Sequence, residues 1–200
     1  MTAVPITIYA EMTPNPHVMK YVANKLLNTG TPLDFAKTSD ASNSPLAKKL
    51  LNFPFVDGVF IANNYVSVTK SSLVEWEDVT MELREFIRDF IMEGGVVIAQ
   101  MVQRDEAQEV AADVVKEEYN VASTEIDKKI ISALDEYIRP AVESDGGSID
   151  FKKFEAGKVH VVLRGACSGC PSSTVTLKNG IESLLKRMVP EVEEVVSEAM

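Results

Sequence analysis

The sequence is poor in cysteine, histidine and basic residues. Its 200 residues include two cysteines and two histidines, and 30 acidic against 20 basic residues give a formal net charge of −10. Phosphate groups and anionic lipid surfaces are bound by clustered Lys and Arg, so this balance argues against nucleic-acid binding and against adhesion to a membrane. Two cysteines are also too few for a disulfide framework.

Long hydrophobic runs are missing as well. No apolar run approaches the ~18–20 residues that cross a bilayer. The N-terminus has no basic segment followed by an apolar one, as a secretory signal requires, and it is not rich in Arg. We therefore expect a cytoplasmic protein, in a bacterium or as the mature form of an organelle protein.

The sequence shows no recognisable set of catalytic residues. We find no Ser/His/Asp set, no phosphate-binding loop and no pair of carboxylates placed for acid–base chemistry. We therefore expect that the protein is not an enzyme.

The apolar residues that are present, 46% of the chain, are patterned as helices and strands in two groups. The pattern predicts an α+β fold of two small mixed α/β domains, at residues 1–95 and 123–200. Between them, residues 96–122 are rich in Gln, Asp and Glu, which is typical of an acidic linker.

In the N-terminal domain, apolar spacing and turn residues predict four strands and three helices. The strands are expected near Ile8 and over 33–37, 56–61 and 65–69, and the helices over 17–27, 46–51 and 76–92. Asn63-Asn64 is expected to form a tight hairpin turn.

In the C-terminal domain, the predicted order is α-β-β-α-β, with a Cys-x-x-Cys loop before a helix. The first helix begins after a candidate N-cap, Thr124, and is ended or kinked by Pro140. A hairpin is expected over 148–154 and 158–164, a second helix from Pro171 and a last strand over 192–196.

The two cysteines, Cys167 and Cys170, lie together in the loop of residues 165–170. Glycines in this loop let the backbone bend around a bulky group, and the amides at the start of the next helix favour thiolates. The spacing alone suits a zinc site, a thiol–disulfide enzyme or an iron–sulfur protein.

Counting ligands narrows the arrangement but not the metal. A [4Fe–4S] cluster usually takes four Cys thiolates, and structural zinc also takes four ligands. The chain brings two cysteines, and His160 has no spacing that marks a ligand. His17 could be a ligand, but a His after Pro16 is more typical of a helix start. A complete site would therefore be shared by two chains whose cysteine loops face each other.

Several stretches resemble the NifU/Nfu family. Residues 163–173 and 176–182, which contain the cysteine loop, are similar to the C-terminal domain of that family. Thr13-Pro14-Asn15-Pro16, residues 44–50 and the hairpin over 59–70 are similar to its N-terminal domain. The resemblance covers most of the chain.

This resemblance implies an iron–sulfur cluster scaffold or carrier. In members of the family a [4Fe–4S] cluster bridges the paired cysteines of two subunits, and the matching residues here are Cys167 and Cys170. It further implies an upstream cluster donor, apo iron–sulfur proteins as acceptors and a homodimer when loaded. The extra cysteine-bearing domain of full-length NifU is absent from this sequence, which favours a late-acting carrier.

Two other functions use the same cysteines, namely a thiol–disulfide oxidoreductase and a zinc-stapled interaction module. For the flanking residues we expect ordinary structural roles. Arg164 and Lys178 are interpreted as solvated surface residues, and Trp76 as a packing residue at a helix start. The turn over 13–16 is interpreted as a turn that could also shape a partner-binding loop.

Overall fold

The computed structural model describes residues 5–37, 41–99, 124–168 and 171–199, with backbone only at 171–176 and 199. Most of the predicted linker, and Cys170, lie outside the described residues. The α+β fold predicted from the sequence is confirmed, with one sheet in each of two units.

Five antiparallel strands form the sheet of the N-terminal unit, in the spatial order β1-β2-β5-β4-β3. The strands are β1 (Ile8–Met12), β2 (Val18–Ala23), β3 (Leu33–Ala36), β4 (Val56–Ala62) and β5 (Tyr65–Lys70). Asn63 adopts a φ of 41° between β4 and β5, as the predicted tight hairpin turn requires.

The helix predicted over residues 17–27 is wrong, because most of this stretch forms β2. Val18, Tyr21 and Val22 repeat at a spacing that imitates one face of a helix, but these residue types favour strands. The strand pairs with β1 on one side and β5 on the other, and it is buried on both faces. Burial on both faces removes the alternation that identifies a strand in a sequence.

Two helices cover one face of this sheet, α1 (Pro45–Leu50) and α2 (Trp76–Met92). The α2 bounds match the prediction, and the apolar stripe that includes Val79, Leu83 and Ile87 is buried against the strands. The indole Nε1 of Trp76 donates a hydrogen bond to the Pro16 carbonyl at 2.9 Å. Trp76 therefore packs at a helix start, as expected.

The opposite face of the sheet is also buried. Along β5, Val66 and Val68 belong to the core under the helices, whereas Tyr65 and Ser67 point to the other side and are equally inaccessible to solvent. Phe60 and Tyr65 form a second small apolar cluster there, with ring centroids 6.1 Å apart. A cover for this second face comes from the C-terminal unit.

The C-terminal unit follows the predicted order α-β-β-α-β. Its elements are α3 (Glu125–Ala133), a π-helical turn (Leu134–Ile138), α4 (Arg139–Ser144), β6 (Gly147–Glu155), β7 (Lys158–Gly165), α5 (Pro171–Met188) and β8 (Glu194–Ala199). The first two strands are antiparallel, and β8 returns parallel to β7 after the α5 crossover.

The first helix of this unit starts after the predicted N-cap, and helical structure continues past Pro140 as far as Ser144. Thr124 caps α3 in a reciprocal pair, because its hydroxyl accepts from the Asp127 amide at 3.1 Å and its own amide donates to the Asp127 carboxylate at 2.8 Å. Pro140 lacks an amide donor, and α3 gives way before it to the π-helical turn, from which α4 begins with Pro140 in its first turn.

Within the described part of the chain, none of the helices is both long and apolar enough to cross a bilayer.

Candidate functional site

Cys167 lies in the connection between β7 and α5. The amide of Ser168 donates to the Gly165 carbonyl at 3.0 Å, which closes a turn around the cysteine. The side chain of Cys167 is 6% exposed and packs on the apolar core of the C-terminal unit. Cys170 lies outside the described residues, so the structure places one of the two predicted ligands.

Two glycines allow the backbone to pack closely around Cys167. Gly165 has a φ of +65°, which favours glycine, and Gly147 sits opposite it in the β6–β7 register. A Cβ on Gly147 would lie 2.6 Å from the Arg164 carbonyl oxygen and 2.9 Å from the Cys167 Sγ. A side chain at Gly147 would therefore displace the cysteine.

Six residues of the N-terminal unit reach the cysteine loop and the turn before β6. They come from separate parts of the first sheet and its loops, and we call them the docking face: Asn15, Lys20, Asp34, Phe60, Tyr65 and Ser67.

Two hydroxyls of β5 bind the turn before β6. The Tyr65 hydroxyl donates to the Gly147 carbonyl at 2.8 Å, and the Ser67 hydroxyl donates to the Gly146 carbonyl at 2.7 Å. Both bonds are buried. A Cβ on Gly146, whose φ is +81°, would lie 2.9 Å from the Ser67 Oγ, so this contact requires glycine.

Two further residues bind the cysteine loop itself. The Asn15 side-chain amide donates to the Ala166 carbonyl at 3.1 Å, and the Asp34 carboxylate accepts from the Gly165 amide at 3.1 Å. The ring of Phe60 lies against Gly165, where a Cβ would come within 2.9 Å of it. The two residues directly before Cys167 are thus held by the N-terminal unit.

Lys20 adds a buried positive charge to the docking face. Its Nζ donates to the Ser144 carbonyl at 3.1 Å, lies 4.8 Å from the centre of the Tyr65 ring and is 3.5 Å from the Glu11 carboxylate. The carbonyl and the carboxylate compensate for the loss of water around the ammonium group.

Burial raises the pKa of the Tyr65 phenol well above its usual value, and the negative charges of Glu143 and Cys167 raise it further. The phenol therefore stays protonated and remains a hydrogen-bond donor at physiological pH.

Arg164 is not the solvated residue that the sequence suggested. It is buried and paired with the equally buried carboxylate of Asp150, and the Nη1 of Arg139 lies 3.6 Å from the same carboxylate. Two arginines around one acid keep that charge compensated inside the protein.

The two histidines lie in different units of the chain. His17 is exposed ahead of β2, and the His160 Nδ1 lies 3.5 Å from the Glu198 carboxylate on the sheet face opposite Val159. The described ranges contain no cluster of three or more His, Cys, Asp or Glu that could hold a metal ion.

Sequence reasoning missed the docking face. The turn over 13–16 is interpreted above as one that could shape a partner-binding loop, and Asn15 within it contacts the cysteine loop of the same chain. The sequence of β5 indicated part of the remaining docking face, because the polar residues Tyr65 and Ser67 alternate there with Val66 and Val68. A half-apolar second face of that kind indicates a sheet covered on both sides.

The chain matches two family models over most of its length. Residues 8–94 match the model described as the scaffold protein Nfu/NifU N-terminal domain, and residues 130–196 match the NifU-like domain.

Curated proteins with similar sequences align with nearly the whole chain. The NFU1 iron-sulfur cluster scaffold homolog, mitochondrial, of Drosophila erecta is 38% identical over 189 residues, which are 94% of this chain and 63% of that protein. The Homo sapiens protein of the same name is 35% identical over 190 residues, which are 94% of this chain and 70% of that protein. The chain thus spans less than two thirds of the length of its Drosophila relative.

A solved structure also aligns with part of the chain. The NMR structure of a NifU-like protein from Saccharomyces cerevisiae aligns with it at a TM-score of 0.44 and 22% sequence identity. The alignment covers 50% of this chain and 91% of the yeast chain.

Proposed function

Because the chain belongs to the NifU/Nfu family, we propose that it is an iron–sulfur cluster carrier that binds its cargo through Cys167 and Cys170. The cluster is received from an upstream donor and delivered to apo iron–sulfur proteins. In this role the cluster is cargo, and the chain catalyses no turnover of a substrate.

The observation that supports this function most directly is the setting of Cys167. The cysteine follows a buried strand, lies in a turn made narrow by Gly147 and Gly165, and precedes the long helix α5. The first amides of a helix have no partner within the helix and favour negative charge, which suits thiolates and cluster sulfides.

The number of sulfurs supports a cluster shared by two copies. The chain has two cysteines, and a [4Fe–4S] cluster usually takes four thiolates. Two chains supply the full set when their cysteine loops meet. We therefore propose a [4Fe–4S] cluster that bridges a homodimer and leaves by exchange with thiolates of an acceptor.

The two other functions predict different chemistry at the same residues. A thiol–disulfide oxidoreductase needs an attacking thiolate that reaches its substrate. Cys167 is 6% exposed in this structure, so attack on a disulfide would require the same opening of the loop that cluster loading requires. A zinc-stapled module would hold zinc and take up no iron.

Anaerobic reconstitution with iron and sulfide tests the proposal. The expected product is brown, elutes as a dimer and contains about two irons per chain, which is the ratio for one four-iron cluster between two chains. Cys167→Ser and Cys170→Ser are each expected to abolish cluster uptake and dimerisation. His160→Gln is the matched control, because it removes a different potential ligand, and it should load normally.

Transfer to an apo iron–sulfur enzyme tests delivery. The loaded dimer should restore activity to the apo enzyme faster than iron and sulfide in solution at the same concentration. A monomeric loaded form, or cluster content unchanged in both serine variants, would overturn the proposal. A colourless product that reduces insulin disulfides, or one that takes up zinc and no iron, would favour the other functions.

For location we propose a reducing aqueous compartment. The sequence-based expectation is the cytoplasm, and the relatives described above are named as mitochondrial proteins. Both compartments keep thiols reduced, which Cys167 and Cys170 require as ligands. Fractionation of cells that make the tagged protein checks this, and recovery from an oxidising compartment would contradict it.

A further inference from the structure

The docking face recognises main-chain atoms of the C-terminal unit. Three of its contacts illustrate this: the Tyr65 and Ser67 hydroxyls and the Asn15 amide donate to carbonyls at 2.8, 2.7 and 3.1 Å. Each of these carbonyls would otherwise need water or another donor. The N-terminal unit therefore fits the shape of this turn and loop.

These contacts lie directly beside Cys167. Asp34 binds the amide of Gly165, Asn15 binds the carbonyl of Ala166, and Phe60 packs on Gly165. On the other side, Gly147 lies against the Cys167 Sγ and is itself held by Tyr65. The N-terminal unit thus binds the two residues directly before Cys167 and the glycine that lies against its sulfur.

Binding of a second copy at the cysteine loop would use the surface beside Cys167 that the docking face occupies. A cluster that bonds two sulfurs from each of two chains draws both cysteine loops to within the width of one cluster. The residues next to Cys167 then face the cluster and the other chain. In this structure the Phe60 ring and the Asp34 carboxylate of the same chain lie there.

The contact between the docking face and the C-terminal unit is of a kind that can open and close reversibly. The hydrogen bonds of Tyr65, Ser67 and Asn15 join neutral groups. Those of Lys20 and Asp34 involve one charged group each. Contacts between domains of one chain resemble transient interfaces. A neutral hydrogen bond contributes a net factor of roughly 3- to 10-fold to an equilibrium. A few such bonds keep the contact mostly closed and still allow it to open.

We propose that the N-terminal unit is a built-in cap on the cysteine loop. In the cluster-free chain the docking face holds the loop and keeps Cys167 away from solvent. Opening of this contact exposes the thiol for loading. The capping rests on the contacts to Gly165 and Ala166, directly before Cys167, and to Gly147 beside its sulfur. The competition with a second copy rests on the proposed function.

The reactivity of the thiol in the cluster-free full-length chain tests the cap. In a Cys170→Ser background, Cys167 is the one remaining thiol, and its reaction with iodoacetamide is followed at pH 7.5. Adding Tyr65→Phe and Ser67→Ala removes two docking hydroxyls with little change in shape. Alkylation should become roughly 10- to 100-fold faster, because two hydrogen bonds that favour the closed state are lost.

The matched control removes a tyrosine hydroxyl and a serine hydroxyl from positions of the N-terminal unit outside the docking face. Tyr9 is 61% exposed on β1, and the Ser71 hydroxyl accepts only a long bond, 3.4 Å, from the Leu73 amide. Tyr9→Phe with Ser71→Ala in the Cys170→Ser background should leave the alkylation rate within about twofold of the background. Circular dichroism checks that all variants have the same fold.

Hydrogen exchange at one amide gives a second measurement. The amide of Gly165 donates to the Asp34 carboxylate of the other unit. If one opening event exposes both groups, the Tyr65→Phe/Ser67→Ala change should accelerate exchange at Gly165 and alkylation at Cys167 by the same factor.

The outcomes separate the cap from the carrier function. Unchanged alkylation in the double variant overturns the cap, and faster exchange at Gly165 with unchanged alkylation also overturns it, because the core of the C-terminal unit would then bury the thiol by itself. Since both measurements use cluster-free protein, a failure to load iron and sulfide would overturn the carrier proposal and leave this result intact.

Discussion

The Tyr65 hydroxyl donates a hydrogen bond to the Gly147 carbonyl at 2.8 Å, across 82 residues of sequence. Gly147 in turn lies so close to Cys167 that a Cβ would come within 2.9 Å of the sulfur. Tyr65 and Cys167 are therefore connected through one glycine, although they belong to different sheets and different family domains.

Gly147→Ala should disrupt the cysteine loop. The added methyl group would lie 2.6 Å from the Arg164 carbonyl oxygen and 2.9 Å from the Cys167 Sγ, and both belong to the packed interior. Overpacking of this kind costs about 1–3 kcal/mol. We expect a lower free energy of unfolding in urea and reduced cluster uptake after reconstitution.

The chain offers a matched control for this change in Gly180. It lies inside α5, and a Cβ there would meet nothing within 4 Å. Gly180→Ala should therefore increase stability by about 0.5–1 kcal/mol, because alanine is the better helix former. Equal stability of the two variants would contradict the close packing described for Gly147.

Arg164→Met should be strongly destabilising. It removes the Arg164 guanidinium from the buried carboxylate of Asp150, which keeps Arg139 at 3.6 Å. Removing one partner of a buried ion pair costs about 3–5 kcal/mol. Chemical denaturation should show this loss, whereas Arg88→Met, at an exposed pair with Asp89, should cost at most about 1 kcal/mol.

A double variant tests whether the unpaired charge of Asp150 causes the loss of stability in Arg164→Met. Arg164→Met together with Asp150→Leu removes both charges, and it should recover much of the stability lost in the single variant. If the double variant were as unstable as Arg164→Met, lost packing of the arginine stem would explain the effect instead.

Alkaline pH should weaken the contact between the two units. Burial, Glu143 and Cys167 raise the pKa of Tyr65 in the docked state above the value of about 10 of a solvated phenol. The contribution of the neutral phenol to docking is therefore complete below pH ~10 and is lost as the pH rises above it toward the raised pKa.

Absorbance at 295 nm measures this ionisation. The phenols of Tyr21 and Tyr65, whose pKa values are both raised first by burial, should ionise late in an alkaline titration. Tyr65→Phe should remove one phenol from that late phase. A late phase of unchanged amplitude in the variant would place the Tyr65 phenol in contact with solvent.

Removal of the cluster should reverse dimerisation, if the bridge proposed above is correct. An iron chelator under anaerobic conditions removes the cluster, and with it the link that joins the thiolates of the two chains. Size-exclusion chromatography should then show monomers, and renewed reconstitution should restore the dimer. A dimer that persisted after complete loss of iron would show that protein contacts hold the copies together.

Much of the fold could be predicted from the sequence, because its helices obey local rules. The α2 helix, Trp76–Met92, has one apolar stripe at helical spacing, and α3 begins at Thr124 with a capping pair. The exception is β2, Val18–Ala23, whose burial on both faces produced a false helical spacing. There the neighbouring strands decided the structure.

The candidate site could be predicted only in part. Cys167 and Cys170 stand out by residue type and spacing, and they remain predicted ligands. The residues that hold the loop do not stand out, because Asn15, Tyr65 and Ser67 bind backbone carbonyls far along the chain. A carbonyl is the same in every residue, so the sequence contains no complementary partner to find.

Recognition of carbonyls also determines which genetic changes the contact tolerates. Replacing the partly exposed side chain of Ser168 alters none of the main-chain oxygens that the N-terminal unit binds. Inserting or deleting a single residue between Gly146 and Gly147, or just before Ala166, would shift those oxygens by about 3.3–3.8 Å, more than the length of a hydrogen bond. The contact between the two units therefore depends on the length of these loops and on their glycines Gly146, Gly147 and Gly165.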